Sequence, residues 1–326
     1  MGYKPKFSNA AALALAWECM RAGSMEDALT AIERVALTLP VTLPGASMKK
    51  KVRKAARRAG SATPRGWREE MTRFVACMRA GTLPFSIFAM HGNMKLPFVA
   101  FSALPIVTCP GAGDCAEWCY SKKAWRTPGG YLRQLMNTLL LRFNRRAIID
   151  AFKVLPVDIT FRLYVDGDFD SMSTMQFWWN LLRQRQDILC YGYSKSWQLF
   201  VDWHGTGAAF PTNYVLNVSS GSIYDGDAEF MEKMLGLPVT RERFLAVNID
   251  KKFMRKEKGY NRYDDPAYHA AVREAARALG YERALSCSGK CGDCVGYKGA
   301  NAHACGARKD DGSFVFGGIV AIGNHG

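Results

Sequence analysis

The chain has 326 residues, 48% of them hydrophobic, and its 44 Lys plus Arg against 29 Asp plus Glu give a formal net charge of +15. A chain of this size buries a core that needs no disulfide stapling, so its ten cysteines ask for another use. No apolar run reaches the length of a membrane-crossing helix, so no membrane partner is expected, and the positive balance points to nucleic acid or another polyanion as partner.

In chain order, residues 8–38 read as two helices, with Leu13, Ala16, Trp17 and Met20 at helical spacing and a turn around Gly23. Glu18 follows the apolar run Ala11 to Ala16, and no charged leader precedes it, so the expectation is a cytoplasmic protein without a secretory signal. A basic segment follows, Lys49, Lys50, Lys51, Arg53, Lys54, Arg57 and Arg58, which is a candidate nucleic-acid contact or a solvated helix. Trp67, Met71, Phe74, Val75 and Met78 then mark a short amphipathic helix. These features divide the chain into a helical segment 1–45, a basic linker with a short helix 46–85, and a main domain 86–326.

Within the main domain short β-rich runs alternate with helical ones. Strands are expected at Phe98 to Ala103, Ile159 to Val165, Ile188 to Tyr193, Tyr214 to Val218, Phe244 to Ile249 and Phe314 to Ile322. A long helix is expected over 131–152 and another from Thr174 to Gln186. This alternation predicts an α/β fold with a mainly parallel sheet, closed or partly closed into a barrel, and a small helical N-terminal appendage. Ligands in such folds gather at the carboxyl ends of the strands. The exits here are polar: Asp166-Gly167-Asp168-Phe169, Ser194-Lys195-Ser196, Ser219-Ser220-Gly221 and Asn248-Ile249-Asp250. Asp166, Asp168 and Lys195 are therefore candidate catalytic groups, and Gly167, Ser194 and Ser219 candidate cofactor contacts.

Seven cysteines fall in two groups. Cys109, Cys115 and Cys119 lie in a glycine-bearing loop, with Cys115 and Cys119 spaced to share one face of a helix starting near Asp114. Cys287, Cys291, Cys294 and Cys305 lie near the C-terminus. Soft thiolates in this number suit an iron–sulfur cluster, most naturally [4Fe–4S], in one or two copies, with zinc as the alternative. Cys19, Cys77 and Cys190 read as small apolar residues, and His303 and His325 as weaker ligand candidates.

The stretch Gly92-Asn93-Met94-Lys95-Leu96, the first cysteine loop, Asp166 to Phe169, Tyr191 to Ser196 and the cysteine-rich tail together resemble the bacteriophage family named for gene product 88. The resemblance runs from about residue 86 to the end and implies a phage origin, with the host cytoplasm as location, but no reaction. A looser resemblance is to radical S-adenosylmethionine enzymes, which hold a [4Fe–4S] cluster by three cysteines after the first strand of a partial barrel. Cys109, Cys115 and Cys119 occupy that place with wider spacing, whereas Cys287, Cys291 and Cys294 show the usual spacing at the far end of the chain. Three expectations follow: a redox or radical enzyme with S-adenosylmethionine as candidate co-substrate; a nucleic-acid-binding protein with a structural or redox-sensing cluster; and a zinc-stabilised structural protein.

Overall fold

A computed structural model describes residues 7–41, 66–90, 98–254, 259–291, 294 and 303–324. The seven basic residues from Lys49 to Arg58, the stretch Gly92 to Leu96, and His325 lie outside the described residues. The chain forms two compact units, 1–88 with 102–108 and 120–155, and 89–101 with 109–119 and 156–326.

The first unit is helical: α1 (Asn9–Arg21), α2 (Met25–Thr38), α3 (Trp67–Arg79), α4 (Pro128–Phe143) and α5 (Arg145–Lys153). Ser8 and Ser24 cap α1 and α2 by accepting from the N–H groups of Ala11 and Asp27. The expected single helix over 131–152 is broken at Asn144, whose non-helical backbone (φ −149°, ψ 64°) ends α4 while its side chain accepts from Ala147 N–H to start α5. A cap-forming asparagine competes with the helix for its own backbone groups, which a hydrophobic period does not register.

The second unit is a seven-stranded, all-parallel sheet curled into a half-barrel and surrounded by helices. Its strands are β1 (Val99–Ala100), β2 (Thr160–Leu163), β3 (Leu189–Ser194), β4 (Tyr214–Ser219), β5 (Thr240–Val247), β6 (Leu285–Ser286) and β7 (Val320–Gly323), in the order β1-β2-β3-β4-β5-β7-β6. Its helices are α6 (Met172–Gln184), α7 (Trp197–Gly205), α8 (Ala228–Leu235) and α9 (Pro266–Ala278). Residue alternation divides each strand between two faces. Outward, Leu245, Val247 and Ala321 pack with Tyr268, Val272 and Ala276 of α9. Inward, Tyr191, Val215 and Val320 pack with Ala304 and Cys305 of the tail, joined by Phe244, Leu285, Phe314 and Phe316.

Three strand expectations are corrected. The run Phe314 to Ile322 is a strand only from Val320, because Phe314 and Phe316 spend their apolar surface on the inner face instead. Strand β5 begins at Thr240, where Arg241, Glu242 and Arg243 hide it from a hydrophobic pattern. Strand β6 is two residues long and was not expected. The first and last positions in the sheet, β1 and β6, are its two edges, so the barrel stays open.

Candidate metal–sulfur centre

The tail cysteines share one chamber on the inner face. Cys305 is buried against Tyr191, Val215 and Val320, with Cys287 and Cys294 packed on the same cluster. Burial pushes the Cys305 thiol up to about 12; nearby Arg241 opposes this, while Cys287 and Cys291 add to it. Burial likewise lifts Cys294 to about 11, with Cys305 and Cys287 among its electrostatic neighbours. Donors already meet the sulfurs: Ala304 N–H reaches Cys294 Sγ at 3.1 Å, Gly289 N–H reaches Cys287 Sγ at 3.4 Å, and the Tyr193 hydroxyl hydrogen-bonds Cys305. Among the described residues no three His, Cys, Asp or Glu side chains stand close enough to hold a metal ion. No disulfide joins any of the ten cysteines.

The chamber is electropositive. Strand β5 carries one extra residue opposite β4, since Leu216 pairs with Thr240 but Asn217 pairs with Glu242. That bulge turns Arg241 inward, where its Nε donates to Asn217 Oδ1 at 2.8 Å, its Nη1 to the carbonyls of Phe316 and Gly318, and its Nη2 to the carbonyl of Arg243. Arg241 is 6% exposed, and no carboxylate pairs with it among the described residues. Asn217, fully buried, donates to Gly192 O at 3.1 Å and to Cys305 O at 2.6 Å, tying the tail to the sheet. Arg162 lies over the Tyr193 ring at 4.6 Å. His303, between Phe98 and Tyr191, is pushed down to about 3 by burial first and then by Arg162 and Arg241, so its ring is neutral. Neither ring nitrogen of His303 has a hydrogen-bond partner among the described residues, whereas the Tyr191 hydroxyl meets Cys291.

The mid-chain group lies at the strand exits. Residues Asp114–Ala116 form one 3-10 turn and Tyr120–Arg126 another, so the expected helix carrying Cys115 and Cys119 is not there. The reason is a close approach to the neighbouring loops: Gly113 N–H and Cys115 N–H both donate to Gly221 O. A Cβ on Gly111 would stand 1.8 Å from Lys195 O, and one on Gly221, at φ +84°, 2.9 Å from Cys115 Cβ. Cys115 and Cys119 remain electrostatic neighbours, together with Lys195 and Asp168, while Cys109 lies near Tyr164.

The predicted polar rim is assembled there too. Asp168 is fully buried and accepts from Phe169 N–H (2.8 Å), Ser194 Oγ (2.9 Å), Lys195 N–H (2.7 Å) and Ser196 N–H (3.2 Å). Burial pushes the Asp168 carboxyl pKa above the usual carboxylate value, against those donors and the Lys195 ammonium. Its observed contacts make it a clamp between the exits of β2 and β3. Lys195 Nζ donates to Ser219 Oγ at 2.8 Å, which leaves the ammonium beside Cys115. Gly167 turns the chain at φ +80°, and Asp166 is half-buried on the same loop. Beyond this rim a cavity of approximately 300 Å³, lined by Asp114, Trp118, Gly221, Arg243, Ala246 and Asn324 among others, opens at the ends of β4, β5 and β7.

A family model described as gene product 88 matches residues 50–309. The chain belongs to the gene product 88 family. The match starts well before residue 86, where the motifs alone would place it, and spans all seven grouped cysteines of this gene product 88 family member. No curated protein and no solved structure matches the chain. In this phage family member no helix among the described residues is long and apolar enough to cross a membrane. Sequence reasoning passed over Arg241 and Asn217, polar residues inside strands, and took Tyr191 and Tyr193 only as part of a family motif, with no place beside the tail cysteines.

Proposed function

We propose that this chain is an iron–sulfur protein in which Cys287, Cys291, Cys294 and Cys305 hold one [4Fe–4S] centre against the inner face of the half-barrel. The observation that carries the reading is the tail cluster itself: Cys287, Cys294 and Cys305 pack on one inner-face cluster with Cys291 as an electrostatic neighbour, Cys305 lies beside a buried arginine that has no carboxylate among the described residues, and the His303 imidazole has no partner there. A metal centre with four thiolates is anionic, so it would neutralise Arg241 and offer sulfur acceptors to the orphaned donor. The residues present fit such a group. Zinc, at about 2.3 Å from each thiolate, draws four sulfurs tightly together. Four thiolates also ligate an iron–sulfur cluster, so metal analysis separates the two.

Cys109, Cys115 and Cys119 would hold a second centre with three protein ligands, beside Lys195 and next to the cavity at the ends of β4, β5 and β7. A cluster with an open iron supplies electron transfer and substrate coordination. Redox or S-adenosylmethionine-dependent chemistry is the proposed use, with the Lys195 ammonium as counter-charge and the cavity as space for a small molecule. The two cysteine groups have different electrostatic neighbours, which supports two centres over one shared between them.

Iron and sulfide counts on protein purified without oxygen test this. About eight of each per chain is expected, and about four would leave one centre. Zinc with no iron would overturn the reading in favour of a zinc-stabilised protein. Serine at Cys115 and Cys119 should halve the count, and so should serine at Cys291 and Cys305. A second reading, favoured by the net charge of +15, is nucleic-acid binding by a cluster protein. Filter retention of DNA or RNA that falls steeply with salt would support it, and no retention at low salt would end it.

A further inference from the structure

We propose that His303 donates a hydrogen bond from its imidazole N–H to a sulfur of the tail centre and thereby sets that centre's reduction potential. The proposal rests on the iron–sulfur reading of Cys287, Cys291, Cys294 and Cys305.

His303 is 1% exposed, and both Nδ1 and Nε2 lack partners among the described residues. An imidazole carries at least one ring N–H in either protonation state, and leaving a buried donor unmatched costs about 1–3 kcal/mol. The ring cannot turn to water to recover this. Phe98 holds it at a centroid distance of 5.0 Å and Tyr191 at 4.5 Å, on a backbone whose next residue, Ala304, already donates to Cys294 Sγ.

The acceptor follows from what surrounds the ring. Its charged neighbours are Arg162 and Arg241, both donors without acceptor capacity. Phe98 offers a π face, and the Tyr191 hydroxyl is already engaged with Cys291. Sulfur is the abundant acceptor in the chamber, and Cys305 lies two residues along the chain. Direct ligation of iron by His303 is disfavoured by arithmetic, since four thiols already complete a four-iron centre. An N–H to a cluster sulfur favours the more negative, reduced state and so raises the potential.

The test uses the full chain purified without oxygen. His303→Leu removes the donor, while His303→Gln and His303→Asn each return an N–H near one of the two ring nitrogens. All three should keep the wild-type iron and sulfide counts. His303→Leu should shift the reduced-to-oxidised ratio at fixed potential at least tenfold toward oxidised, a fall of 59 mV for one electron, and one of the amide variants should recover most of it. An unchanged potential in His303→Leu overturns the proposal. Loss of iron in all three variants also overturns it, because the residue is then a ligand or a structural element.

A measurement on the unmutated protein is independent of variant folding. With its five histidines labelled with 15N, the reduced tail centre should show a weakly coupled nitrogen by pulsed electron paramagnetic resonance. Strong coupling of a bound nitrogen, or none, counts against the proposal. Wild-type protein without iron would instead defeat the cluster reading before any variant is made.

Discussion

At Gly111 the mid-chain loop passes so close to the β3 exit that an added methyl would meet the Lys195 carbonyl at 1.8 Å. Both partners are backbone, so neither can move aside as a side chain would. Gly111→Ala should therefore destabilise the protein by about 3 kcal/mol or more, read as a lower urea midpoint in metal-free material. Asp168 makes the complementary case. Each of its oxygens accepts from two donors, so Asp168→Asn turns an amide NH2 toward groups that can only donate, or toward Ser194. The expected loss is about 2 to 3 kcal/mol, even though the substitution removes a buried charge. A neutral or stabilising result in urea denaturation would show that charge burial, not hydrogen bonding, dominates there.

Among the elements, β5 shows what the sequence made legible and what it hid. Alternation announced Phe244 onward, and parallel β/α order announced the sheet, since both depend on apolar periodicity. The bulge that turns Arg241 inward is a matter of register between two strands, and register is not written in either strand alone. The grouping of the cysteines was visible in the sequence because their spacing is local, and the proposal that they bind a metal rests on that spacing. The chamber around the tail group was not visible, because Asn217, Tyr191 and Tyr193 acquire their roles from strands distant in sequence. The break at Asn144 was lost for the opposite reason, as a local cap overrode a periodic pattern. Asn217 ties β4 to the tail through Cys305 O and holds Arg241 Nε. Asn217→Ala should leave both unmatched and cost about 2 to 4 kcal/mol, and under the proposed iron–sulfur reading it should lower the amount of iron retained after purification. The sheet itself should persist, with far-ultraviolet circular dichroism close to wild type.

For the whole molecule, the open half-barrel raises the question of what holds the tail in place. The chain leaves β6 at one edge and returns to β7 beside it, yet in between it lays His303 and Cys305 against Tyr191 on β3, with β5 and β4 intervening. Asn217, Arg241 and a few aromatic contacts fasten the tail there among the described residues. They share the chamber with raised thiols that a bound metal would deprotonate. Loading should therefore tighten as pH rises toward the thiol values and weaken as it falls, because protons compete for the same sulfurs. Removing the metal with a chelator under reducing conditions should release the tail without dissolving the sheet. Trypsin would then cut first at Lys290, Arg308 or Lys309, while the loaded protein resists, and reconstitution with iron and sulfide would restore resistance. Equal cleavage of loaded and metal-free protein would mean that the sheet and its side chains hold the tail unaided, and that the centre serves chemistry alone.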